Sequence, residues 1–145
     1  MGSARNVVEQ AYAAMRDGDV NALLKLCSSD CELVDMGMTM RGPDQIGAYL
    51  QAFVTAFPDI NVQVRQLLED GDAVAAEVRF TGTQTGALAM PTGELPASGR
   101  SIDLEAVDLF RTQDGQIKAW RVYMDSTRFM TQLGLMPEPA QATPA

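Results

Sequence analysis

The chain has 145 residues, a length suited to one domain with a single core and one internal cavity. Nineteen acidic against eleven basic side chains leave a net charge of −8, which argues against a nucleic-acid partner and against an anionic membrane surface. The absence of histidine removes serine–histidine and cysteine–histidine nucleophiles, histidine zinc sites and a proximal haem ligand, so acid–base chemistry falls to Asp, Glu, Tyr, Lys or Cys.

Residues 4–16 place Val7, Val8, Ala11, Tyr12 and Met15 at helical spacing, and Asp17-Gly18 stops the helix. Asp19 is placed to cap a second helix carrying Val20, Leu23, Leu24 and Leu26. Cys27 and Cys31, four residues apart, form neither a redox motif nor half of a metal site. No signal peptide and no apolar run of about 18 residues is visible, so the reading is a cytoplasmic protein with reduced, structural thiols. Residues 30–38 read as a strand, with Cys31, Leu33 and Asp35 on one face. Gly42-Pro43-Asp44 opens a third helix, whose apolar stripe is Ile46, Tyr49, Leu50, Phe53 and Phe57, and Pro58 ends it.

Four strands are predicted in the second half. Ile60, Val62 and Val64 alternate with polar residues up to an Asp70-Gly71 turn, and Val74, Ala76, Val78 and Phe80 continue the pattern on the return. Residues 82–98 are rich in Gly, Pro and Thr and read as a pocket rim. Ile102, Leu104, Ala106, Asp108 and Phe110 share one face of the next strand, and Asp114-Gly115 turns into the last, residues 116–125. A short helix stopped by Gly134 follows, so the domain is residues 1–136 and the Pro/Ala-rich residues 137–145 read as a disordered tail. Three helices first and a mainly antiparallel meander afterwards, with one short strand between the helices, form an α+β pattern. A curved sheet wrapped around the long helix would enclose a cone, a topology that local pattern alone does not fix.

Asp108 is the acid on the wrong face. Its neighbours in phase are apolar, so alternation points it inward, where a carboxyl must be protonated, paired or lining a pocket. Asp35 repeats the argument more weakly from a strand end. Asp125 ends the last strand in phase with Arg121 and Tyr123, yet Asp-Ser-Thr before a helix is equally an N-cap signature. Tyr123 and Arg121 could bond a ligand oxygen or form a surface ladder with Glu105. Tyr12 could be core or a donor to a developing oxyanion. Phe53 and Phe110 are candidate apolar contacts for a substrate, the methionines read mainly as filler, and Trp120, out of phase with Asp125, is expected on the convex face.

Several short segments, in order and spacing, carry a resemblance. They include Gly42-Pro43-Asp44-Gln45-Ile46, Phe57-Pro58-Asp59-Ile60, Phe80-Thr81-Gly82-Thr83, Asp108-Leu109-Phe110-Arg111, Tyr123-Met124-Asp125 and Gln132-Leu133-Gly134-Leu135. Together, over about residues 7–137, the chain resembles the SnoaL-like polyketide cyclases of the NTF2-like superfamily. The resemblance implies an α+β cone, usually oligomeric, and cofactor-free, metal-free intramolecular aldol closure with one Asp as acid/base. By position before the Gln-Leu-Gly-Leu helix, that Asp looks like Asp125. The chain departs from the pattern at Lys118-Ala119-Trp120, where family members often carry an acid and a His. Ketosteroid isomerase, of the same superfamily, offers a second resemblance: its Tyr–Asp–Asp constellation is similar to Tyr12, Asp35 and Asp108.

These readings give Asp125, Asp108 and Asp35 as the catalytic set, with Tyr12, Tyr123, Arg121, Phe53 and Phe110 binding the substrate. The expected partner is a hydrophobic carbonyl compound, with no nucleic acid and no membrane, and the chain is expected to be a homodimer or larger homo-oligomer. The alternatives are isomerisation or epoxide/ester hydrolysis in the same cone, or a non-catalytic binding or assembly module. The non-catalytic reading requires Asp108 to be fully paired and the cone to be filled by side chains.

Overall fold

The structure, a computed structural model, describes residues 3–90 and 93–137; the expected tail falls almost wholly outside them. Its elements in order are α1 (Ala4–Arg16), α2 (Val20–Leu24), β1 (Cys27–Asp35), β2 (Met38–Arg41), α3 (Gly42–Ala56), β3 (Asn61–Asp70), β4 (Ala73–Thr83), β5 (Leu88–Met90), β6 (Gly93–Leu95), β7 (Ser101–Gln113), β8 (Gln116–Met124) and α4 (Ser126–Gln132).

Local chemistry sets the helix ends. The Ser3 hydroxyl accepts from the Asn6 N–H at 3.2 Å to start α1. Gly18, at φ +67°, takes the left-handed conformation that ends it. The Asp19 carboxylate accepts from the Ala22 N–H at 3.0 Å and starts α2, as predicted.

Six strands form one mixed sheet in the order β2-β1-β8-β7-β4-β3, antiparallel except where β1 and β8 run parallel. The first and last long strands therefore meet, and α1, α2 and α3 cover one face. The predicted strand over 30–38 is two strands joined by Met36-Gly37, with φ of 50° and 77°. Both turn residues are left-handed, the geometry of a tight hairpin, and Met36 in place of Asn or Asp hid it. Asp114-Gly115 makes the same turn with the expected residues.

Two apolar clusters stabilise the fold. One packs Val8, Leu23, Ile46, Phe110 and Trp120 between the helices and the sheet; the other gathers Phe57, Leu88, Ile102, Phe129 and Leu133 at the opposite end. Residues 82–98, expected as a pocket rim, instead hold the β5–β6 hairpin against that second cluster. Buried Gln84 donates to the Leu95 and Pro96 carbonyls and accepts from Ser98 Oγ. Gly86 donates its N–H to the Ala56 carbonyl, and a Cβ there would sit 2.2 Å from the Thr55 carbonyl oxygen. The described residues of the hairpin are thus fixed to the end of α3, and none of them lines the cavity.

The β7–β8 pairing changes register. Arg111 faces Ala119 while Thr112 faces Ile117, so Lys118 is an extra residue, a bulge in β8. A bulge exchanges the two faces of the strand beyond it. After Ile117 the buried or half-buried inner positions are Trp120, Val122 and Met124, while Arg121, Tyr123 and Asp125 point outward.

Candidate active site

The concave face of the sheet and the inner side of α3 leave a cavity of about 100 Å³. Its wall is mostly aliphatic and aromatic, with Leu33, Leu50, Phe53, Val78, Leu104 and Phe129 contributing. The stripe on α3 has the spacing of a core face, but Tyr49, Leu50 and Phe53 stay only half-buried because they face this void. The polar side chains on the wall belong to Asp19, Asp35, Tyr49, Asp108 and Trp120. Asp19 is spent on capping α2, which leaves four inside.

Asp108 projects inward from β7, 5% exposed, as the alternation required. The Tyr12 hydroxyl, from α1, donates to its Oδ2 at 2.5 Å. Burial pushes the Asp108 carboxyl up to about 7; the Tyr12 hydrogen bond opposes that rise and the charge of Asp35 adds to it. The Trp120 indole N–H also pulls the Asp108 carboxyl down, but its geometry falls short of a formed hydrogen bond. Tyr12 is 1% exposed, lies behind Asp108 rather than on the cavity wall, and packs edge-on against Phe110.

Asp35 sits at the end of β1, 8% exposed. The Tyr49 hydroxyl, from α3, donates to its Oδ2 at 2.8 Å, while Oδ1 is buried with no partner among the described residues. Burial pushes this carboxyl up to about 6, against the pull of Tyr49 and the Met36 backbone. Both tyrosine hydroxyls are held well above the ordinary phenol range, by burial first and then by the adjacent carboxyl, so they remain neutral donors. Val34 pairs with Arg121 and Asp108 pairs with Val122, so continuing the register sets Asp35, Val122 and Asp108 in one row across β1, β8 and β7. Two buried carboxyls, each bonded by a tyrosine, therefore face one apolar void, with a single strand between them.

The structure thus brings Asp35, Asp108 and Phe53 to the cavity, with Tyr12 directly behind. It does not bring Asp125, Tyr123, Arg121 or Phe110. Asp125, expected as the acid/base, is instead exposed, off the cavity wall, and accepts from the Arg128 N–H at 3.0 Å as the N-cap of α4. Tyr123, 55% exposed, and Arg121 lie on the outer face beyond the Lys118 bulge. Phe110 is wholly buried, stacked on Trp120 with ring centroids 5.1 Å apart, and is core rather than a substrate contact. Trp120, expected on the convex face, lines the cavity for the same reason that Asp125 does not. Sequence reasoning missed Tyr49 as a polar site residue, placing it only in an apolar stripe. The signal for Trp120 was present: Trp120, Val122 and Met124 form a consistently apolar set, whereas Arg121, Tyr123 and Asp125 form a polar one.

Among the described residues no three His, Cys, Asp or Glu side chains gather as a metal site, and no helix is long and apolar enough to cross a membrane. The open cavity departs from a filled, purely structural cone, although Asp108 does have its buried partner.

Among functionally curated proteins none matches the chain. Solved structures do. A candidate SnoaL-like polyketide cyclase from Jannaschia sp. CCS1 is 24% identical, covers 92% of this chain and 93% of its own, and superposes with a TM-score of 0.79. AclR, a candidate hydroxylase from Streptomyces galilaeus, is 19% identical over 95% of this chain and 89% of its own, with a TM-score of 0.78. A protein with a ketosteroid isomerase-like fold from Catenulispora acidiphila DSM 44928, in complex with trimethylamine, is 27% identical over 95% of this chain and 97% of its own, with a TM-score of 0.73. These likenesses establish the NTF2-like fold, which carries more than one chemistry. The sequence profile of the SnoaL-like polyketide cyclases matches residues 6–133, nearly the whole described domain, and the chain belongs to that family.

Proposed function

We propose that the chain is a cofactor-independent acid–base enzyme that enolises a neutral, hydrophobic carbonyl compound, most concretely to close a polyketide ring by intramolecular aldol addition. The observation that carries this reading is the pair of buried carboxyls on one apolar cavity, their proton affinities raised towards neutrality. Asp35 is the base: Oδ1 has no partner, and Tyr49 holds the carboxyl from the other side. Asp108, protonated over part of the neutral range and backed by Tyr12, donates to the carbonyl oxygen as enolate charge develops. Asp35 removes a proton from the carbon beside the carbonyl. The enolate carbon then forms a bond to a second carbonyl carbon, and the new alkoxide takes the proton back from Asp35.

A second reading is return of that proton to a different carbon, a double-bond isomerisation. The meeting of Tyr12, Asp35 and Asp108 at one site favours it, and it uses the same first step. Deuterium exchange at the α-carbon of a ketone in D2O, followed by NMR, tests both readings without the natural substrate. Asp35→Asn should slow the catalysed exchange by about 10²- to 10⁴-fold. Exchange at the wild-type rate in that variant refutes the base assignment.

The reading extends to assembly and setting. Val107, 42% exposed, and Tyr123 are directly paired on the outer sheet face, an apolar spot suited to a second copy of the chain. Cys27 and Cys31 are buried free thiols, which fits a reducing cytoplasm.

A further inference from the structure

Three buried side-chain polar atoms have no hydrogen-bond partner among the described residues: Asp35 Oδ1, Trp120 Nε1 and Thr131 Oγ1. Thr131 lies in α4, away from the cavity. The other two belong to residues of the same wall, one an acceptor and one a donor. A buried N–H left unpaired is costly and rare, and on a cavity wall its natural partner is the ligand.

We infer that the Trp120 indole N–H is a second donor to the substrate's carbonyl oxygen, forming with Asp108 a two-donor site that selects neutral ketones. The inference rests on the enolisation reading for what the ligand is. Its geometry is independent of that reading. Tyr12 cannot fill the role, because its hydroxyl proton is committed to Asp108 and it is absent from the wall. The indole is held by Phe110, stacked at 5.1 Å with planes 25° apart, so the direction of its N–H is fixed before a ligand arrives. Trp120 and Asp108 line the same cavity, so an oxygen bonded to Asp108 shares that cavity with the indole. Trp120 pairs with Leu33 on one side and Phe110 on the other, one step along the sheet from the row holding Asp35 and Asp108. A ligand spanning these groups needs an acceptor oxygen at the Trp120–Asp108 side and an acidic C–H at the Asp35 side. Two carboxyls on the wall disfavour an anion, and a hydrocarbon leaves the N–H unpaired.

Trp120 is the chain's one tryptophan, so labelling or replacing all tryptophan acts at this position alone. With indole-¹⁵N tryptophan, titration with 2-cyclohexenone should move the single indole N–H resonance downfield, and toluene, of similar size, should not. Replacing tryptophan with β-(benzo[b]thiophen-3-yl)alanine exchanges the N–H for sulfur. That form should bind 2-cyclohexenone about three- to tenfold more weakly and toluene equally well. An indole resonance that stays still, or moves as much with toluene, overturns the inference. So does equal ketone affinity in the two forms, or failure of the ketone to bind the unmodified chain at its solubility limit. The two readings separate cleanly. A ketone-dependent shift without α-proton exchange keeps the donor and removes the enolisation reading; exchange without a shift does the reverse.

Discussion

Replacing Asp108 with Asn should stabilise the protein, and by an amount that depends on pH. The carboxyl is 5% exposed and its proton affinity is raised from 3.8 to about 7, roughly three units, at about 1.4 kcal/mol each. A folded-state pKa above the unfolded value means that protonation favours the fold. Its stabilising effect is complete below about pH 4 and is lost as pH rises through about 7. Between pH 5 and 8 the wild-type chain should therefore lose about 3 kcal/mol through this group. Asn matches the shape, can still accept from Tyr12, and has no charge to desolvate. The melting temperature of Asp108→Asn relative to wild type should then climb by about 10 °C over that interval in differential scanning calorimetry. A difference that stays flat with pH, or falls as pH rises, refutes the claim that a carboxylate is held at a cost for the sake of the site.

On the proposed mechanism the same two carboxyls set the pH dependence of turnover. The base must be ionised and the acid protonated, so kcat/KM should follow a narrow bell with limbs near 6 and 7, belonging to the pair jointly; a plateau through pH 9 refutes it. Tyr49→Phe removes a donor that holds Asp35 down, so its rising limb should move to higher pH, and an unmoved limb counts against Tyr49 as its positioning residue. Asp125→Asn should leave both turnover and stability near wild type, whereas Asp125→Ala should cost about 1 kcal/mol in urea unfolding with kcat unchanged; loss of turnover in the Asn variant restores Asp125 to the chemistry. Tyr123→Asp should lower the mass seen by sedimentation equilibrium to that of the monomer, and a wild-type chain already monomeric removes the outer face as an interface.

The parts of the site legible in the sequence are those where side-chain period carries the information. Asp108 stood out because Ile102, Leu104, Ala106 and Phe110 define its face unambiguously, and Asp35 followed from Cys31 and Leu33. Tyr12 fell on the apolar stripe of a well-capped helix. What period cannot supply is pairing between elements: nothing in the sequence joins Tyr49 to Asp35, because their contact depends on how α3 crosses the end of β1. Nor does phase alone separate cavity from core. Phe110 and Asp108 share a face, but Phe110 is closed off by Tyr12 and Trp120, and Asp108 is not.

The last strand shows how one residue can reverse an assignment. Counting by twos from Ile117 gives Ala119, Arg121, Tyr123 and Asp125 as the inner set, a reading that delivers three polar groups to an apolar cone. The bulge at Lys118 cancels that count, and the inner set becomes Trp120, Val122 and Met124. Burial energetics already favoured the second set, since turning three large apolar residues outward forfeits more than any gain from burying an Arg and an Asp without partners. Where alternation from one end of a strand and hydrophobicity from the other disagree, a bulge between them reconciles both. Here it turns Asp125 away from the cavity and sets Trp120 on the cavity wall, in the same lining as Asp35 and Asp108.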